Sequence, residues 1–216
     1  MKKSAVAVLG GDTSDTDEYY RSQIEESSFI VGVDAGADTL HRLQIVPDLL
    51  VGDMDSISAS SLSWCSSKGT EIISFPDEKD EPDTELALSE IERRGISRAV
   101  LLDFDGSRLD HFLATLMLMY GFSDSINVEA RSSRLNIGIV RKTASLEAVS
   151  GETWSILPIG PERAVVTLRG FKYEVENRAF PHERPLGVSN MAQEGSVEIS
   201  VSSGAVAYFR WIKSSG

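Results

Sequence analysis

Cysteine is almost missing from these 216 residues, with Cys65 standing alone, so an internal disulfide and a cysteine-rich zinc site are excluded and a reducing, cytoplasmic setting is expected. Long apolar runs are missing as well. No stretch approaches the roughly 20 apolar residues of a membrane helix, and no membrane partner is expected. Met1-Lys2-Lys3 followed by Ala5-Val6-Ala7-Val8-Leu9 imitates a short secretory signal, but Gly10-Gly11-Asp12 cuts the run off, and it reads instead as a first buried strand. Positive charge is the minority, with 21 Lys and Arg against 33 Asp and Glu and a net charge of -12. That balance argues against a nucleic-acid partner, whose phosphates need clustered cations. It also makes any nucleotide a difficult ligand unless metal ions screen its charge.

What is present falls into two textures. Up to about residue 131, short apolar runs at 5–9, 29–33, 49–51, 71–75 and 99–102 alternate with amphipathic stretches at 16–26, 37–43, 59–67, 83–94 and 108–120. This is the pattern of parallel strands joined by crossover helices. In the stretch from Asp83, Ala87 and Ile91 lie four residues apart on one face, with Glu90, Arg93 and Arg94 left for water, as in a helix lying on a sheet. Beyond residue 131, Gly, Pro and turn residues punctuate short runs such as 154–157, 164–168, 196–201 and 205–209. That spacing predicts antiparallel strands in a small sandwich or barrel. The expected fold class is therefore α/β: a mostly parallel three-layer α/β domain over 1–131, followed by an antiparallel β-sandwich or barrel domain over 132–216.

Acidic residues recur at the predicted carboxyl ends of the strands, where open parallel sheets bind ligands. Asp34 follows the second run, Gly52-Asp53-Met54-Asp55-Ser56 the third, Asp80 and Asp83 the fourth, and Asp103 and Asp105 the fifth. Four strand ends would then meet at one acidic crevice. Carboxylates so close repel one another and raise each other's pKa unless a counter-ion intervenes. A magnesium ion resolves the conflict with oxygen ligands, and in an extended segment Asp53 and Asp55 would face it together. Each piece also has an ordinary structural reading: Asp-x-Asp as turn chemistry, Asp83 as a helix-dipole partner, Lys79 as a surface lysine, and Arg108, Asp110 and His111 as charges at a helix start. Gly10-Gly11 lacks the full dinucleotide spacing. The combination is what points to a site.

Taken in order, the segments resemble the thiamin pyrophosphokinase family over nearly the whole chain. Asp34-Ala35-Gly36-Ala37-Asp38 is similar to the family's Asp-Gly-Gly-Ala-Asn, and Gly52-Asp53-Met54-Asp55-Ser56 to its Gly-Asp-x-Asp-Ser. Lys79-Asp80-Glu81-Pro82-Asp83 resembles Lys-Asp-x-Thr-Asp, and Gly106-Ser107-Arg108-Leu109-Asp110-His111 resembles Gly-Gly-Arg-x-Asp-His. Trp154 to Gly160, Gly170-Phe171-Lys172-Tyr173 and Ser189-Asn190 are similar in order and spacing to the family's β-rich domain. Departures are Ala35 and Ser107 for glycines, Asp38 for Asn, Pro82 for Thr, and Asp103 where many members carry another Gly.

The resemblance implies transfer of a diphosphoryl group from ATP to the hydroxyethyl oxygen of thiamine, giving thiamine diphosphate and AMP. It implies a homodimer with thiamine at the subunit interface, ATP and Mg2+ on the first domain, and thiamine contacts from the second. By position, Asp53, Asp55 and Asp83 would be metal-linked, and Asp53, Asp55, Asp80, Asp83, Arg108 and Asp110 catalytic. Asp34, Gly36, Asp38, Lys79 and Arg108 would meet ATP; Asp110, His111, Ser189 and Asn190 would meet thiamine. Either Asp80 or Asp110 would take the hydroxyl proton. Three alternatives stay open: a pyrophosphokinase acting on another alcohol such as a pterin, a catalytically silent nucleotide or thiamine binder, and a metal-dependent phosphoesterase.

Overall fold

The computed structural model describes residues 3–12, 15–76 and 81–213, and the chain divides into two compact units, 1–132 and 133–216. The first unit runs β1 (Ser4–Val8), α1 (Asp17–Glu25), β2 (Phe29–Val33), α2 (Gly36–Leu43), β3 (Leu49–Gly52), α3 (Ala59–Lys68), β4 (Glu71–Ser74), α4 (Asp83–Arg93), β5 (Arg98–Leu102), α5 (Leu109–Phe122) and β6 (Asn127–Arg131). Its strands lie in the order β6-β5-β1-β2-β3-β4, every neighbouring pair parallel. The order reverses at β1, between β2 and β5. Such a switch point is where open α/β sheets hold their ligands.

Local chemistry sets the helix ends. Thr16 caps α1 by accepting from the Tyr19 amide at 3.3 Å, and Ser58 caps α3 by accepting from the Ser61 amide at 3.2 Å; a cap of this kind contributes about 1 kcal/mol. Helix α3 then stops at Gly69, whose φ of 82° suits a residue without a side chain. Helix α2 buries Ala37, Leu40 and Leu43, and Leu40 and Leu43 pack with Val6 and Val8 of β1, Tyr20 and Ile24 of α1, and Leu102 of β5. Burying each large apolar side chain contributes roughly 1.5–3 kcal/mol, so the helices are pinned to the sheet.

The second unit contains β7 (Leu135–Val140), β8 (Thr143–Glu147), β9 (Thr153–Ile159), β10 (Ala164–Arg169), β11 (Val175–Phe180), β12 (Asn190–Met191), β13 (Ser196–Ser203) and β14 (Ala205–Trp211). They form two antiparallel layers, β12-β9-β14-β7 and β11-β10-β13-β8. Strand β10 alternates buried Ala164, Val166 and Leu168 with half-buried neighbours, as a half-buried strand must. Those residues pack with Trp154, Ile156, Phe171, Val206 and Tyr208 in a core drawn from both layers, which defines a sandwich. Trp154 is fully buried, edge-on to Phe171 with ring centroids 5.8 Å apart. Among the described residues, no helix is long and apolar enough to cross a membrane.

Candidate active site

The carboxyl ends of β2 and β3 and the start of α4 bring three acids together. Asp34, Asp53 and Asp83 each offer an oxygen within 4.8 Å of the others. Asp34 is placed first by its backbone. Its φ is 46°, its amide donates to the Val51 carbonyl at 2.9 Å, and its carbonyl accepts from the Ala37 amide at 3.0 Å. Gly36 follows it for a steric reason, since a Cβ there would come within 1.9 Å of the Val8 carbonyl oxygen. Gly36, expected to meet ATP, therefore has a packing role, which lets α2 start directly against β1.

The electrostatics of the trio favour a cation. Asp34 is buried, and its Oδ1 has no hydrogen-bond partner. Burial, and then the charges of Asp83, Asp53 and Asp55, push its pKa up, while the Ser56 hydroxyl partly offsets them. Three hard oxygen donors with an orphaned buried oxygen fit a divalent ion such as magnesium. The trio differs from the expected set in holding Asp34 in place of Asp55. Met54, with a φ of 68°, turns the 53–55 segment out of the extended form in which the two acids would face one ion by strand alternation. Asp55 is exposed, donates its amide to Asp53 Oδ1 at 3.2 Å and accepts from the Ser56 hydroxyl at 2.7 Å.

Asp103 and Asp105 stand outside the trio, although the sequence suggests four strand ends converging. Strand β1 lies between β5 and β2, and it separates them. Asp103 is instead buried, accepting from the Tyr20 hydroxyl at 2.5 Å and from Thr39 Oγ1 at 3.4 Å. Asp38 holds the start of α3, accepting from the Ser58 hydroxyl at 2.5 Å and the Ser58 amide at 3.2 Å. It also lines a cavity of about 210 Å³ together with Gly10, Gly11, Ala35, Thr39 and Arg42.

At the amino end of α5, Arg108 donates to Asp110 from Nε at 3.0 Å and from Nη2 at 2.7 Å. Both side chains are about two-thirds exposed, and this guanidinium fork holds the Asp110 carboxyl far below the usual carboxylate range. His111 beside them is exposed. In the second unit Ser189 is exposed, with a φ of 58° and its amide donating to Ser155 Oγ at 3.2 Å. Asn190 is buried and its amide is bonded to the backbone of Tyr173 and Met191. Lys79 and Asp80 lie outside the described residues. Tyr20, Thr39 and Arg42 are neighbours of the site that sequence reasoning misses. They sit on helix faces where a tyrosine, a threonine and an arginine carry no motif, and only the fold sets them beside Asp103 and the Gly10-Gly11 turn.

A parallel α/β unit followed by an antiparallel sandwich, with a carboxylate trio that could hold a divalent cation at the ends of β2 and β3 and the start of α4, defines the class of protein. Residues 20–130 match the thiamin pyrophosphokinase catalytic domain and residues 140–206 the thiamin pyrophosphokinase vitamin B1 binding domain. The chain belongs to the thiamin pyrophosphokinase family. It is 27% identical over 170 residues to thiamine pyrophosphokinase 1 of Oryza sativa subsp. japonica, covering 74% of this chain but 64% of that one, just under two thirds of the relative's length. Against the thiamine pyrophosphokinase of Bacillus subtilis it is 27% identical over 169 residues, 77% of this chain and 79% of the other. The crystal structure of thiamin pyrophosphokinase from Geobacillus thermodenitrificans matches with a TM-score of 0.84 at 26% identity, covering 98% of this chain and 99% of that one.

Proposed function

We propose that this chain transfers a diphosphoryl group from ATP to the hydroxyethyl oxygen of thiamine, yielding thiamine diphosphate and AMP. The observation that carries the reading is the Asp34, Asp53 and Asp83 trio with its orphaned buried oxygen, in a chain of this family. In this reading residues 1–131 hold ATP and magnesium, residues 132–216 contribute to thiamine binding, and the enzyme is a cytoplasmic homodimer with thiamine at the subunit interface.

Asp34, Asp53 and Asp83 would hold the magnesium ion, with Asp55 beside them. Bound there, it would supply positive charge against the phosphate oxygens, the main electrostatic need of phosphoryl-type transfer. The remaining work falls to side chains that orient and move protons. Arg108 has a fork that fits phosphate as well as carboxylate, and it is exposed enough to exchange Asp110 for a phosphate oxygen. While Arg108 holds it, Asp110 is too weak a base to accept the thiamine hydroxyl proton. Once Arg108 turns to the nucleotide, the basicity of Asp110 returns. Binding of the donor thereby prepares the acceptor's base. Asp80 is the second candidate for that proton, Lys79 a second cation for the phosphates, and His111, Ser189 and Asn190 serve the thiamine end.

Pure protein mixed with ATP, thiamine and magnesium tests donor, acceptor and reaction type together. AMP and thiamine diphosphate should form in equal amounts. Release of ADP, or AMP formed without any need for thiamine, would overturn the reading.

A further inference from the structure

The cavity lined by Ala35 and Asp38 lies at the sheet's switch point, with one wall from the turn after β1 and the other from α2. At about 210 Å³ it falls below the roughly 300–1,000 Å³ of pockets that enclose a whole drug-sized ligand. It therefore suits one end of a nucleotide. That end is the nucleoside rather than the phosphates. The Gly11 amide is already bonded to the Asp103 carbonyl at 3.0 Å and the Asp12 amide to the Asp105 carbonyl at 2.9 Å, so these two donors of the turn are committed. Arg42 is ion-paired with Asp17 and stands over the Tyr20 ring at 5.7 Å. What the walls offer is the carboxylate of Asp38, which already accepts from Ser58 and has lone pairs to spare, and apolar surface from Ala35, while the Thr39 hydroxyl donates to Asp103.

Asp103 lies behind these walls and touches each. Its carbonyl holds Gly11, whose close approach is possible only without a side chain, since a Cβ there would come within 2.2 Å of that oxygen. Its carboxylate accepts from Tyr20 on α1 and Thr39 on α2. We propose that Asp103 is a positioning residue for the nucleotide, fixing the Gly10-Gly11 turn, α1 and α2 as one frame around the nucleoside end.

A consequence is a nucleotide affinity that depends on pH. Burial pushes the Asp103 carboxyl up to about 7; the Tyr20 and Thr39 hydroxyls pull it down, and Asp15 and Asp105 push it up. Tyr20 and Asp15 face it from α1 and the residues before it, and Thr39 faces it from α2. Asp105 belongs to its own loop, and Arg42, the cation of this frame, is engaged with Asp17. As the pH rises through neutrality, Asp103 acquires a buried negative charge behind a site for an anionic ligand, and the nucleotide should bind less tightly.

This inference rests on the ATP reading given above. Calorimetric titration of magnesium and ATP into the wild type, Asp103→Asn and Asp103→Gly, at pH 6 and pH 8.5, tests it without turnover. The dissociation constant of the wild type should rise at least about threefold between the two pH values, relative to any change seen in Asp103→Asn; a single proton coupled to binding allows at most about tenfold for each pH unit crossed. Asp103→Gly should bind ATP several-fold more weakly at both pH values, while thiamine affinity changes less than about twofold, as for an independent site. An Asn variant that repeats the wild-type pH dependence would overturn the proposal, and so would a Gly variant with unaltered ATP affinity. Parallel losses for ATP and thiamine would mark a general structural role and overturn it as well. Should the Gly variant fail to melt cooperatively, the Asn variant decides. If the ATP pattern holds but no AMP forms with thiamine present, the proposed function fails and the positioning role stands.

Discussion

Asn190 grips the backbone of Tyr173 from both sides: the Tyr173 amide donates to Asn190 Oδ1 at 3.0 Å, and Asn190 Nδ2 donates to the Tyr173 carbonyl at 2.9 Å. The same Oδ1 also accepts from the Met191 amide at 2.9 Å. A side-chain amide is thus standing in for a missing strand neighbour. It continues the contact begun by the Phe171 and Ala192 bridge, and it leaves Tyr173 61% exposed.

Asn190→Ala removes both halves of that grip and leaves part-buried backbone groups without it, at a cost of about 1 kcal/mol or more. For a chain of this size the melting temperature should fall by roughly 2–4 °C per kcal/mol. Thermal denaturation checks this directly. The KM for thiamine should rise while that for ATP holds, and a melting temperature equal to the wild type's would show the clamp to be dispensable.

Asp53→Asn should cut turnover at least about a hundredfold, the scale of losing a charge partner at a reacting centre. In EDTA the same variant should melt no lower than the wild type, since it relieves repulsion on Asp34. Magnesium bound at the trio would stabilise the folded form by mass action, so its upward effect on the wild-type melting temperature should shrink sharply in the variant. An undiminished effect would place the cation elsewhere.

The raised pKa of Asp103 has a stability consequence whose sign is fixed. Its native value of about 7 lies above the roughly 3.9 of an unfolded aspartate, so the native state holds the proton more tightly. Its contribution is complete below the unfolded value and is lost as the pH rises towards 7. Asp103→Asn carries no such charge. The stability of the variant relative to wild type should therefore increase between about pH 4 and pH 7 and level off above. Each pH unit within that window changes the difference by at most about 1.4 kcal/mol. Urea unfolding at several pH values measures this, and a flat difference would contradict it.

Arg108→Lys keeps the charge and loses the two-pronged geometry. Turnover should drop about tenfold, on the scale of one charge-assisted hydrogen bond, with the melting temperature unchanged because the pair is exposed and contributes little to folding. Steady-state kinetics beside a melt separates the two effects.

Much of the first unit is legible because each strand there is a short apolar run followed by a turn and an amphipathic stretch. The run at 29–33 and the helix starting at Asp83 fall where the pattern puts them. Strand β6, with Glu129 and Arg131 on one side, reads as polar; those two side chains pair with each other at 2.7 Å, a contact invisible in one dimension. In the second unit β11 is mostly exposed along Glu176, Asn177, Arg178 and Ala179, so it lacks the alternation that betrays a strand. At the site, the motif acids Asp53 and Asp83 can be read from their neighbours. The sequence also puts Asp34 in the acidic crevice, but it does not reveal its standing in the trio where Asp55 is expected, which depends on the left-handed turn at Met54 and on the adjacency of β2 and β3.

Asp34, Met54 and Asp103 all adopt positive φ at or just past the ends of β2, β3 and β5, a conformation that disfavours any residue with a side chain by roughly 1–2 kcal/mol. Glycine would relax each of them, so the backbone itself exerts a steady pull against the side chains at these positions, Asp34 of the trio among them. Glycine at 34 would relieve the backbone and the repulsion among the acids together, whereas glycine at 103 would relieve the backbone but leave the buried Tyr20 hydroxyl without its acceptor. A thermostability screen of this scaffold would therefore favour glycine at 34 even as the trio lost one of its acids.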